Sequence, residues 1–206
     1  MRRFAIPVWR GWLVLGPGGV RFQGVRATGF TLYLAIFDKP LLERRLKAGP
    51  WHERERSQQV IVSLVFIAFF AFLILPILDY RKGLSRVPAW VSVVGDAIIV
   101  LSFLAIFRVV KVNSWAASNV RVEAGQQVID TGPYAHVRHP MYAAAVWLFV
   151  GIPLALGSWW TTALLVPFVP VLLWRLLDEE KLLARELPGY TEYTKRVRYR
   201  LVPRVW

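Results

Sequence analysis

Val60-Ile61-Val62-Ser63-Leu64-Val65-Phe66-Ile67-Ala68-Phe69-Phe70 runs on to Leu78 without a single charged residue, and Asp79-Tyr80-Arg81-Lys82-Gly83 closes the run. A helix needs ~20 apolar residues to cross the hydrocarbon of a bilayer, so this stretch predicts a membrane-spanning helix. Working outward, Trp90 to Val110 is a second span, interrupted by Asp96 about two turns in. An acid at that depth faces the bundle or snorkels to the interface as a structural residue, or else lines a polar pocket. Met141–Leu177 is too long for one crossing and short for two. Gly151-Ile152-Pro153 and Gly157-Ser158-Trp159-Trp160 break it, so it reads as a tight helical hairpin with the paired tryptophans at the far interface. Phe30 to Phe37 is too short to span unaided and reads as re-entrant or interfacial.

The composition agrees. Of 206 residues, 56% are hydrophobic, ten are Trp, and the mean hydropathy is +0.43. That is far too apolar for an ordinary soluble domain. The absence of cysteine excludes disulfides, Cys-ligated zinc, iron–sulfur clusters and a thiol nucleophile. Met1-Arg2-Arg3 is basic, but Pro7, Arg10 and Gly16-Pro17-Gly18-Gly19 interrupt any apolar core of signal-peptide length, so a retained N-terminus is expected.

A net charge of +13 invites a nucleic-acid reading, and the distribution of that charge argues against it. With spans at 60–78, 89–110, 141–156 and 159–177, Lys and Arg number eleven in residues 1–59, three in 79–88, three in 111–140, none in the 157–158 turn and seven after 177. Arg108 and Arg175 lie in the last turns of spans that end on the basic side. This is the positive-inside asymmetry, and it predicts cytoplasmic termini and a cytoplasmic 111–140 loop. The fold expected is an all-α polytopic transmembrane bundle of about four to five membrane helices with a C-terminal cytoplasmic amphipathic helix. The organisation expected is a basic, interfacial segment at 1–59 and a membrane domain at 60–206, with the chemistry in 113–206.

The polar loop from Asn113 to Tyr134 carries Gly125-Gln126-Gln127 and the turn Thr131-Gly132-Pro133-Tyr134. Arg138-His139-Pro140-Met141-Tyr142 follows at the mouth of the hairpin, and Asp178-Glu179-Glu180 stands where the chain leaves the membrane again. Cations and an imidazole thus face carboxylates at one membrane surface, a costly arrangement unless it serves a charged ligand beside lipid. Arg175, Asp178, Glu179 and Leu182 recur at three- and four-residue intervals and share a helix face. Each group also has a plainer reading. Arg138 and His139 would anchor headgroups, Pro140 is ordinary helix-start chemistry, the acidic triplet would be a solvated face, and Tyr134 and Tyr142 would be interfacial aromatics.

Three blocks in order carry a more specific signal: Gly132-Pro133-Tyr134-Ala135-His136-Val137-Arg138-His139-Pro140-Met141-Tyr142, then Glu179-Glu180-x-x-Leu183, then Pro188-Gly189-Tyr190-x-x-Tyr193 with basic residues after it. Together, over residues 113–206, they resemble the isoprenylcysteine carboxyl methyltransferase family of membrane methyltransferases and, more distantly, the phospholipid N-methyltransferases. The resemblance implies S-adenosylmethionine as cofactor, bound on the cytoplasmic side, and a lipophilic small-molecule or lipid acceptor arriving from the bilayer. It implies no nucleic-acid partner and no metal. Tyr134, His139, Pro140, Met141 and Tyr142 would line the cofactor, with the backbone of Gln126, Gln127, Val128 and Ile129. Glu179 would bind it from the facing helix, and Arg175 would face the acceptor. Arg138 and Glu180 match positions the family needs for activity.

Methyl transfer from a sulfonium is an in-line displacement with a neutral leaving group, so alignment and exclusion of water matter more than covalent apparatus. Glu179 or Glu180 would accept from the cofactor's amino group and ribose, and Arg138 would meet its carboxylate. The acceptor would be a carboxylate oriented by Arg, or an amine deprotonated by Glu180 or a histidine. Two further readings are a sterol-reductase-like membrane reductase using a reduced nicotinamide dinucleotide and a non-catalytic protein of the same architecture.

Overall fold

In the computed structural model the described residues are 56–115, 122 and 125–206, with isolated positions at 36, 39, 42 and 43. The expected interfacial piece at Phe30–Phe37 and most of the basic segment 1–59 lie outside them. Helix α1 (Arg56–Lys82) and helix α2 (Ala89–Val112) are joined by a short connection. A 3-10 turn at Gly132–Ala135 leads to α3 (Pro140–Ala155), which is followed by the short α4 (Trp159–Ala163), α5 (Leu165–Glu186) and α6 (Tyr190–Arg196). No strand occurs among the described residues.

The lengths follow from the apolar runs. Three helices, Arg56–Lys82, Ala89–Val112 and the α4–α5 unit Trp159–Glu186, are long and apolar enough to cross a membrane. Helix α3 is shorter, and its 16 residues reach about 24 Å at 1.5 Å per residue. Their outward faces are apolar: Ile67, Phe70, Leu101 and Trp160 are all more than half exposed. Such a surface suits lipid and would aggregate in water. The expected all-helical membrane bundle is observed, and the 141–177 stretch is indeed a hairpin, turning at Leu156–Ser158.

Close approach of α2 and α3 forms the tightest seam. A Cβ on Gly95 would fall 2.2 Å from the Ala155 backbone nitrogen, and one on Gly151 would lie 3.0 Å from the Gly95 carbonyl oxygen. Small residues at a helix crossing let the backbones touch, which is how association is driven where lipid is as apolar as Leu. The rings of Phe72, Phe149 and Phe168 tie α1, α3 and α5 together with centroids 4.3–5.4 Å apart.

At the end away from the 111–140 loop, Asp79 is buried rather than a simple charged stop. Its carboxylate accepts from Ser85 N (2.7 Å), Ser85 Oγ (2.6 Å) and Ser158 Oγ. Ser158 in turn caps α4 by accepting from Thr161 N (3.1 Å). The two turns at that end are thereby latched together, which fixes how the helices deliver their other ends to one place.

Candidate functional site

The opposite end collects the start of α1, the end of α2, the 3-10 turn, the start of α3, the end of α5, helix α6 and residues 199–206. Pro140 opens α3 at a position where its missing N–H costs nothing. Arg138 and His139 just before it cannot bond within the helix, and their amides donate instead to the Tyr199 and Arg200 carbonyls, both at 2.9 Å. Helix α5 continues without a break past Leu177, so Arg175, Asp178, Glu179 and Glu180 leave the apolar layer on one rigid element.

Glu180 is the hub. Its Oε1 lies 2.9 Å from Arg138 Nε and 3.1 Å from His139 Nε2, and its Oε2 accepts from Arg200 Nε at 2.8 Å. The Arg138 and Glu180 side chains are nearly enclosed, at 9% and 13% exposure. The Arg138 contact is ionic in character: despite the short distance its Nε–H is not aligned for a hydrogen bond, and the atom is buried with no other partner. Arg200 also stacks over the Trp206 ring, 5.0 Å from its centroid.

Glu179, one residue earlier, faces a different set. It accepts a short 2.5 Å hydrogen bond from Tyr142 Oη, and Arg175 approaches the same hydroxyl. The His139 ring stands edge-on to Tyr142 with centroids 5.7 Å apart. Buried Arg175 donates to Gln58 Oε1 at 3.1 Å, while Gln58 Nε2 and Ser57 Oγ donate to Asp178 at 2.7 and 2.9 Å. Among the described residues Glu179 has Tyr142 as its single hydrogen-bonding partner, so much of its acceptor capacity is open.

A third group closes the floor. Gly189 adopts φ +82°, in the left-handed region favoured by glycine, and reverses the chain after α5. Tyr190 and Tyr193 then pack with Leu187 and Val197, against Val122, Val128 and Leu183. Tyr193 Oη donates to the Tyr134 carbonyl at 2.8 Å, and Tyr134 Oη accepts from Asn113 Nδ2 at 2.8 Å. Burial raises both the Tyr190 and Tyr193 phenols well above the usual tyrosine value; for Tyr190 the nearby Glu180 and Glu179 charges add to it.

The sequence-derived residues therefore separate. Arg138, His139, Tyr142, Arg175, Glu179 and Glu180 are brought together through side-chain contacts. Tyr134 and Val128 join through the Tyr190–Tyr193 floor. Pro140 is buried and Met141 half-buried in the first turn of α3; Gln126 and Ile129 are half-buried and Gln127 exposed in the extended backbone before Gly132. Sequence reasoning missed Gln58, Asn113 and Arg200. A polar pair, Gln58-Gln59, at the entrance of an otherwise apolar helix was the available signal for the first; nothing local distinguishes Arg200 from the basic residues around it.

Fold and site together define a polytopic, all-helical integral membrane protein with an enclosed charged cluster where its helices emerge. Residues 90–188, just under half of the chain, match the family model described as phospholipid methyltransferase, and over that segment the resemblance read from the sequence is borne out. No curated protein matches the chain.

Proposed function

We propose that the protein is an S-adenosylmethionine-dependent methyltransferase that methylates a carboxylate or amine on a lipophilic acceptor drawn from the bilayer, with its site on the cytoplasmic side. The observation that carries this reading is the open carboxylate of Glu179, held by Tyr142 and flanked by the Arg138–Glu180–His139 cluster. The chemistry of the open carboxylate fits the cofactor: spare acceptor sites suit an ammonium or ribose hydroxyls. When bound, that cofactor supplies an electrophilic methyl carried on a sulfonium.

The protein's own residues do the rest. Glu179, His139, Pro140, Met141 and Tyr142 bind and orient, with Tyr134 and the backbone of Gln126 to Ile129 forming the adjoining wall. Glu180, engaged by three partners, fixes Arg138 and His139 rather than exchanging protons. Arg175, on the face shared with Glu179, meets the acceptor. Enclosure of the cluster excludes the water that would compete as a nucleophile. An amine acceptor is favoured by the description of the matching family as phospholipid methyltransferase. In that case Glu179 or His139 is the group able to take the departing proton.

Calorimetric titration of the detergent-solubilised protein with S-adenosylmethionine and its demethylated product tests the reading. Saturable binding, lost in Glu179→Ala and His139→Ala, supports it and justifies screening lipid extracts for a methyl acceptor. No binding by folded protein sinks it.

A further inference from the structure

Helix α6 begins with the one part of the Pro188-Gly189-Tyr190-x-x-Tyr193 block that the contacts above leave unexplained. Its two tyrosines are three residues apart, both are buried, and their rings lie 5.8 Å apart. Their hydroxyls have opposite fates. Tyr193 Oη is bonded to the Tyr134 carbonyl. Tyr190 is only 4% exposed, and its Oη has no hydrogen-bond partner.

A buried phenol with nothing to bond costs roughly 1–3 kcal/mol, and phenylalanine would pack equally well against Leu187, Tyr193 and Val197. The hydroxyl is not remote from the chemistry. The cluster that holds Tyr190 packs against Val128 and against Leu183, which stands about one turn beyond Glu179 and Glu180 on α5. Glu180 is engaged by Arg138, His139 and Arg200, Glu179 accepts from Tyr142, and neither carboxylate accepts from Tyr190. What remains is a phenol oxygen without a partner and, on the neighbouring helix end, a part-open carboxylate, each suited to a ligand N–H or O–H.

We propose that Tyr190 is a ligand-contacting residue of this site, its hydroxyl completing its hydrogen bonding on the polar edge of the S-adenosyl group beside Glu179. This rests on the cofactor reading above and extends it to a residue just beyond the segment that matches the family.

The test is Tyr190→Phe in the full chain, with S-adenosylhomocysteine as the probe in calorimetry and the unfolding temperature of ligand-free protein measured alongside. The expected result is binding weakened about tenfold, the worth of one hydrogen bond, while the ligand-free unfolding temperature stays level or rises. Tyr193→Phe, which removes a bonded hydroxyl, should instead lower that temperature. Unchanged affinity in Tyr190→Phe overturns the inference and leaves the cofactor reading standing. A lowered unfolding temperature in Tyr190→Phe also overturns it, by showing that the hydroxyl supports the fold. Failure of the wild-type protein to bind overturns the cofactor reading and this inference with it.

Discussion

Gln58 Nε2 donates to Asp178 Oδ2 across 2.7 Å, joining the first turns of α1 to the emerging end of α5. The same side chain accepts from Arg175 through its oxygen, so one buried amide sets the rotamers of an acid and a base on the facing helix. Gln58→Leu, which keeps much of the volume and removes both functions, is expected to cost about 2–3 kcal/mol. Thermal unfolding in detergent measures it, and an unshifted transition would show that the link is dispensable.

Glu180 anchors three cationic or imidazole groups, two of them enclosed. Glu180→Ala leaves Arg138 beside His139 with no countercharge, and breaking a buried pair in this way costs about 3–5 kcal/mol. Arg200 is more open, at 30% side-chain exposure, and Arg200→Ala is expected to cost no more than about 1 kcal/mol. Comparing the two unfolding temperatures checks the ranking; equal losses would mean that the Arg200 contact, and not the enclosed pair, carries the cluster.

Gly95→Ala places a methyl 2.2 Å from the Ala155 nitrogen and 2.7 Å from the Leu154 carbonyl carbon, both backbone atoms that cannot swing aside. The α2–α3 seam has to open, at a cost of about 3 kcal/mol. Gly151→Ala meets mainly the side chains of Ile99 and Ile98, which can move, and should be milder. Yield and unfolding temperature of the two variants give the order directly.

Burial raises the Tyr190 and Tyr193 phenols above the ordinary value of 10.0. Above that pH the unfolded chain sheds protons that the folded chain keeps, so stability is fully present below about pH 10 and falls as pH rises further. For Tyr190 the slope is at most about 1.4 kcal/mol per pH unit. The Tyr190→Phe/Tyr193→Phe double variant should lose part of this alkaline sensitivity. Unfolding temperatures at pH 8, 10 and 11 compare the two, and identical profiles would contradict the burial of these hydroxyls.

The spans were legible because hydrocarbon imposes one requirement, a long uncharged run, that Val60–Leu78 states plainly. The confrontation of Arg138 and His139 with Glu179 and Glu180 was legible too, since a hairpin returns its ends to one surface. The division of labour within it was not. Arg138 invited a ligand carboxylate in the sequence, yet Glu180 already lies 2.9 Å from it. Which of two adjacent acids gathers the cations depends on His139 and Tyr142 at the start of α3 and on Arg200 from the C-terminal stretch. Asp79 looked like a helix terminator because its partners, Ser85 and Ser158, meet it only after two turns fold together. Gly95 gave no sign of its role, since a helix crossing is a property of two sequences at once.

The amides of Arg138 and His139, held by the carbonyls of Tyr199 and Arg200, have a consequence for biosynthesis. Among the described residues, each helix long and apolar enough to cross the membrane is translated before those acceptors exist. The bundle can be inserted, with its hairpin in place, while the charged cluster is still open and Glu180 still lacks Arg200. Insertion and maturation of the site are therefore separate events in the life of the chain, and the second waits for residue 200 to leave the ribosome.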